Sequence, residues 1–273
     1  MPARPPEPSV ASLRDSPGDP PGDGESLALY WRFYWAVAEA QLARWLPRHP
    51  SRILDLAGGT VGSGAQAAAA GHRVIEVLDP QLNSHPTPHP DPGPSGPGGP
   101  GGRARRVIAD SGALGFLADG CVDAVIAENR VLSRHLVTEA AVAEIARVLR
   151  PGGRVLLSVD SLTLGMALLA EQKRWAHLSD VPSAEVVLVP WPDGTMTRCF
   201  LADQLRELLT DAGLEVEWVR PRTVLSPSTV EHVLAASPRA LPRLVRTELN
   251  APLNDDSLGV HLLASARRPD RPG

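Results

Sequence analysis

Four carboxylates stand at the ends of short apolar runs, where a folded chain can present an acid to a ligand. Asp55 ends Ile53-Leu54 and leads into Leu56-Ala57-Gly58-Gly59-Thr60-Val61-Gly62-Ser63-Gly64. Residues this small let the backbone approach a ligand closely, and a helix starting behind them favours a negative group at its N-terminus. Asp79 ends Val74-Ile75-Glu76-Val77-Leu78 and precedes Pro80. A carboxylate there can accept both hydroxyl hydrogens of a ribose, with Glu76 as the second candidate. Asp110 follows Val107-Ile108-Ala109 and precedes Ser111, and Glu128-Asn129 follows Val122–Ala127. His135 comes seven residues after Glu128. With an ordinary pKa near 6.5, it is a candidate general base at neutral pH.

The elements that must hold these groups follow from periodicity. Strand-like runs occur at Arg52–Leu56, Arg73–Leu78, Arg106–Ala109, Val122–Ala127 and Arg154–Val159, separated by helical stretches at Gly64–Ala70 and Thr138–Leu149. This alternation predicts a doubly wound α/β fold, a mostly parallel sheet with helices on both faces. Further on come a helix near Leu164–Ala176, a strand at Val186–Val189, a helix at Leu201–Asp211, and strands near Leu214–Val219 and Val260–Ala264. The last two strands would close the sheet. Ahead of everything, Glu25–Leu46 has a helical apolar period and ends at Pro47. It carries Tyr30, Trp31, Tyr34 and Trp35; with Trp175 and Trp191 these aromatics are expected to wall a substrate pocket for a flat or apolar small molecule. Tyr30, Tyr34 and Trp175 are the candidate substrate contacts.

Two tracts lack any such period. Residues 1–24 predict a disordered tail, and the Pro/Gly/His-rich stretch 81–102 predicts a mobile loop inside the domain. The domain itself spans 25–268, with a substrate-cap insertion at 161–200 and a short tail at 269–273. The net charge of −4 and scattered Lys and Arg do not point to nucleic acid. Cys121 and Cys199 form no CxxC pair, and no apolar run reaches membrane length. A soluble, cytoplasmic protein without a membrane partner is expected. His85 and His89 reflect the composition of their tract, so no metal site is expected.

Taken together, these motifs resemble the class I, Rossmann-like S-adenosylmethionine-dependent methyltransferases. The most specific string is Glu144-Ile145-Ala146-Arg147-Val148-Leu149-Arg150-Pro151-Gly152-Gly153-Arg154-Val155-Leu156-Leu157, a helix handed through a Pro-Gly-Gly turn to a buried strand. The resemblance is good over residues 30–160 and implies a seven-stranded sheet and S-adenosylmethionine as cofactor. It assigns the methionine loop to Asp55, Ala57, Gly58 and Gly59, and the ribose to Asp79 with Pro80. The adenine amino group falls to Asp110 with Ser111, and the post-strand loop to Glu128 and Asn129. Ala57 and Val61 replace two of the family's glycines. Ser133 and Arg134 stand where relatives carry histidine, with His135 one step later. The activity implied is methyl transfer to an O, N or C atom of a small molecule. Two other readings stay open. One is a methyltransferase-like domain that binds cofactor or partner without turnover. Gly62-Ser63-Gly64-Ala65-Gln66-Ala67 also fits the dinucleotide pattern G-x-G-x-x-A, although it opens several residues after the strand where that fingerprint should begin.

Overall fold

Strand β1 (Arg52–Asp55) lies between β2 (Arg73–Leu78) and β4 (Val122–Ala127), and β3 (Ala104–Ile108) lies outside β2. Beyond β4 comes the long β5 (Leu149–Ser161), then β9 (His261–Arg267), antiparallel to β5, and β8 (Glu215–Pro221) beside it. These form the expected seven-stranded, mostly parallel sheet. A further hairpin, β6 (Val187–Pro190) and β7 (Met196–Phe200), joins the end of β5 through the pairs Asp160–Cys199 and Ser161–Phe200. The hairpin lies within 161–200, the segment expected as a substrate-cap insertion, and extends the sheet to nine strands. The computed structural model describes residues 27–58, 62–82, 104–191, 194–252 and 259–270. The N-terminal tail, most of the Pro/Gly tract, Gly59 and residues 271–273 lie outside the described residues.

Side-chain alternation along the strands divides the interior. Leu54, Val125, Ala127, Val155 and Leu157 face α4 (Thr138–Val148) and α7 (Ala202–Asp211). Ile53, Val74, Ala124, Ile126 and Leu156 face the other way, against Leu42 and Trp45 of α1 (Ala28–Trp45) and Ala67 of α2 (Ser63–Ala69). The buried residues of α1 (Tyr30, Phe33, Tyr34, Val37, Ala38, Gln41, Leu42 and Trp45) recur at three- and four-residue steps, one helical face.

The first half of that face continues into a second core. It packs with α5 (Leu162–Glu171), the β6–β7 hairpin and α8 (Pro227–Ala236) through Leu164, Leu168, Val189, Trp191, Val230 and Leu234. Helices α6 (Trp175–Asp180) and α9 (Leu241–Leu249) flank it, and the one-turn α3 (Val131–Arg134) follows β4. The Pro-Gly-Gly turn has a structural reason. Gly152 has φ +73°, and a Cβ on Gly153 would meet the Arg150 carbonyl at 2.8 Å.

Candidate active site

Parallel strands deliver their C-terminal ends to one edge of the sheet, and the predicted acids lie along it. Asp55 is fully buried at the end of β1. Its Oδ1 accepts the Ala57 amide at 2.9 Å and its Oδ2 the Ser63 hydroxyl at 2.8 Å, which folds the small-residue loop back on the strand. Burial pushes its carboxyl up to about 6 against these two bonds, with the neighbouring Glu76 adding to the rise. Gly58 and Gly62 take the left-handed conformation, at φ +71° and +70°, that glycine tolerates best. A Cβ on Gly64 would lie 2.4 Å from Glu76 Oε1 and 2.8 Å from Asp55 Oδ2. In a dinucleotide fingerprint the pyrophosphate approaches the second glycine; here two carboxylates crowd it.

Asp79 is buried and almost fully engaged. Oδ1 accepts the Gln81 amide at 2.9 Å; Oδ2 accepts the Ser111 amide at 2.9 Å and the Ser111 hydroxyl at 2.7 Å. Burial alone would raise this carboxyl, but the Ser111 and Gln81 hydrogens outweigh it and hold it low. A carboxylate offers about four lone-pair positions. Three are taken, which leaves one position on Asp79 for a further hydrogen. Glu76 is buried on the α2 side and paired to Arg106 at 3.0 Å. Pro80 is exposed beyond it.

His135 turns toward this group. Its Nε2 lies 2.7 Å from the Ser111 hydroxyl. That hydroxyl spends its own hydrogen on Asp79, so Nε2 carries the ring proton and Nδ1 is left as an acceptor. Burial lowers the histidine's pKa, opposed by Asp79 and Asp110 and assisted by Arg134, so the ring is neutral at pH 7. Asp110 is exposed at the tip of β3, with Oδ1 accepting the Gly112 amide at 2.7 Å. Ligand atoms of Asp79, Asp110 and His135 all lie within 4.8 Å of one another. The fold thus builds a cluster that sequence spacing did not reveal. With three Asp79 positions already filled by hydrogens, it suits a hydrogen-bonding ligand better than a cation.

A second polar group is buried further along the same edge, where the two cores meet. Glu128, just past β4, pairs with the wholly buried Arg222, which also donates to Gln41 Oε1 at 3.0 Å and sits 5.8 Å from the Tyr34 ring centre. The Tyr34 hydroxyl meets His261 Nδ1 at 3.1 Å. His261 Nε2 lies 3.5 Å from Asp160 Oδ1, and Arg130 Nε lies 2.6 Å from that same oxygen. Arg130 stacks 4.3 Å over Trp191, and Tyr30 meets Thr223 at 2.9 Å. Asn129 and Arg130 both have positive φ, 58° and 61°, which swings the chain from β4 into α3.

Burial lowers His261 well below its usual range, with Arg130 and Arg222 pushing the same way. Burial raises Asp160 against the pull of Arg130. Tyr34 is likewise raised by burial, and Tyr30 is pushed up to about 12. Among the described residues, Glu128 Oε1, Arg222 Nε and His261 Nε2 are buried without a hydrogen-bond partner.

Of the expected substrate contacts, Tyr34 reaches this group through Arg222, and Tyr30 reaches the neighbouring Thr223. Trp175 does not: it is 61% exposed on α6, and Trp191 reaches the seam instead. The aromatics expected to form a wall are joined here by the paired charges of Arg222, Glu128, Arg130 and Asp160. Sequence reasoning missed Gln41, Arg130, Asp160, Arg222 and His261. Asp160 alone had a readable signal, an acid at the end of the buried run Val155-Leu156-Leu157-Ser158-Val159.

Residues 54–157, from β1 into β5, match the family described as a methyltransferase domain. Over that stretch the chain is similar to a methyltransferase domain, and its α/β fold is Rossmann-like. Solved structures of similar fold include a Methanosarcina mazei S-adenosylmethionine-dependent methyltransferase: 18% identical, covering 85% of this chain and 98% of its own, TM-score 0.51. Another is the Burkholderia thailandensis 1,6-didemethyltoxoflavin-N1-methyltransferase, bound to 1,6-didemethyltoxoflavin and S-adenosylhomocysteine: 20% identical, covering 87% and 79%, TM-score 0.50. A Mesorhizobium loti S-adenosylmethionine-dependent methyltransferase is 18% identical, covering 85% and 98%, with TM-score 0.51. No curated protein matches the sequence closely enough to count as a relative. The matched stretch contains Asp55, Asp79, Asp110, Glu128 and His135; Tyr34, Asp160, Arg222 and His261 fall outside it. No helix among the described residues is long and apolar enough to cross a membrane.

Proposed function

We propose that this chain transfers a methyl group from S-adenosylmethionine to an O, N or C atom of a small polar molecule. The observation that carries this reading is the convergence of Asp79, Asp110 and Glu128 on one sheet edge, with an unpartnered, buried Glu128 Oε1 among them. Leu56 bonds to the Ile126 carbonyl, so Glu128 stands beside the Ala57-Gly58 end of the small-residue loop. An orphaned carboxylate oxygen there suits the cationic amino end of the cofactor, the remaining Asp79 position suits a ribose hydroxyl, and exposed Asp110 suits the adenine amino group. The residues present therefore fit S-adenosylmethionine. When bound, its sulfonium supplies a methyl group that is already electrophilic.

The chain's own contribution is then to align the acceptor and keep water out. Tyr34, Arg222 and His261 form the acceptor side, beneath α1. Their orphaned donors and acceptors cost free energy when left unmade, which favours a ligand that bears both. His135 belongs to the nucleoside side in this arrangement rather than serving as the base. Two free cysteines and the net charge of −4 agree with a cytoplasmic protein acting on small molecules. Incubation with isotopically methyl-labelled S-adenosylmethionine and a panel of neutral hydroxyl, amine and carbon acceptors tests the proposal. Label should move to at least one polar member. Tight cofactor binding with no transfer to any acceptor or to cell extract would favour a binding domain instead.

A further inference from the structure

The cluster around Ser111 holds more acceptor capacity than one carboxylate needs. Asp110 Oδ1 and His135 Nδ1 both border the space over Gly112: a Cβ there would lie 3.3 Å from the first and 2.9 Å from the second. Glycine at this position keeps both groups in place. The chain of donations fixes the histidine's state at this spot. Ser111 gives its hydrogen to Asp79 and takes one from Nε2, so Nδ1 presents a lone pair. The cluster's ligand atoms lie within 4.8 Å of one another. Two acceptors that border the same space suit one amino group, which carries two hydrogens. Arg134, a donor that could serve a carbonyl instead, gives a guanidinium hydrogen to the Leu82 carbonyl.

We propose that Asp110 and His135 together read the exocyclic amino group of the bound nucleoside, each accepting one of its hydrogens, so that the site selects a 6-aminopurine over its 6-oxo counterpart. The proposal rests on the reading that the nucleoside of S-adenosylmethionine binds along Asp79 and Asp110; it adds His135 as a specificity-determining residue. A 6-oxo purine would set a carbonyl oxygen against two acceptors and leave both unpaired. Sites built around hydrogen bonds reject such analogues by up to about 10⁴–10⁵-fold when closed; this one is partly open, and about 10²-fold is expected.

The test is calorimetric titration of the full chain with S-adenosylhomocysteine and with S-inosylhomocysteine. The wild type should prefer the adenosyl form by about 10²-fold, and His135→Ala should cut that preference to within about tenfold by weakening the adenosyl form alone. His135→Gln, whose amide oxygen can accept, should restore part of the preference. A merely structural loss would weaken both nucleosides alike and leave the ratio standing. An unchanged ratio in a folded His135→Ala protein would overturn the role of His135 while leaving the cofactor reading intact. No binding of either nucleoside by the wild type would overturn both.

Discussion

The Asp79–Ser111–Asp110–His135 cluster and the seam beneath α1 are built from the same residue types, two carboxylates and a histidine with hydroxyls beside them. Their settings differ. In the cluster, Asp79 is held by backbone amides and a serine hydroxyl, Asp110 is exposed, and no arginine forms an ion pair with either acid among the described residues. In the seam, each carboxylate is buried and answered by an arginine, Glu128 by Arg222 and Asp160 by Arg130. The difference separates two ways of holding charge. Hydrogen bonds at a rim keep a carboxylate ionised and one face open, which suits recognition of a ligand. Buried ion pairs are tolerated only while both partners stay, and their spare atoms must be met by something polar.

The largest expected effect comes from breaking that pairing. Arg222→Met should cost about 3–5 kcal/mol in urea unfolding, because it leaves Glu128 buried and alone, and adding Glu128→Gln should recover most of the loss. A cost under about 1 kcal/mol would show that water reaches the pair as it does at a surface. On the cluster side, Asp79→Ala should weaken S-adenosylhomocysteine by about 1.5–3 kcal/mol in a binding titration, whereas Glu76→Ala should change little. The reverse ranking would hand the ribose to Glu76.

Acid should strain the seam more gently. His261 faces Arg130, Arg222, Asp160 and the Tyr34 hydroxyl, and its folded pKa lies well below 6.5. Its neutral form is the one the fold accepts, so its contribution to stability is complete above 6.5 and is lost as pH falls through the window below. Asp55, raised to about 6, works with the opposite sign: its contribution is complete below 3.8 and fades as pH rises through about 6. The melting temperature of His261→Asn should therefore fall less on acidification from pH 7 than that of the wild type. Equal slopes would mean that His261 titrates as it would in water. The smallest effect is expected at His135. With saturating cofactor, His135→Ala should keep kcat within about threefold, well short of the roughly 10²–10⁴-fold drop that removing a general base brings.

How much of this was readable in the sequence divides along the same line. Strands β2 and β4 were legible to the residue, because apolar runs bounded by small or acidic residues set their ends, and the acids of the cluster stand at such ends. The seam was not legible. Tyr34 and His261 are 227 residues apart, Gln41 and Arg222 are 181 apart, and no local period links either pair. Helix α9, beginning Leu241-Pro242-Arg243, and helix α8 escaped notice because their apolar faces are narrow and rest on α1 rather than on the sheet. The Pro-Gly-Gly turn hid the early start of β5, whose Leu149 already pairs with Val122 across an irregular register. Trp175 and Trp191 could not be told apart by residue type. Only the β6–β7 hairpin decides which one lies beside Arg130.

The division of the edge into a nucleoside side and an acceptor side stands on the cofactor itself. Isothermal titration of the purified chain with S-adenosylmethionine, and separately with NAD, measures that directly. The account predicts one S-adenosylmethionine per chain, with affinity sharply reduced by Asp79→Ala, and no heat from NAD, whose pyrophosphate would meet Asp55 and Glu76 beside Gly64. Saturable NAD binding, or S-adenosylmethionine binding indifferent to Asp79, would contradict it.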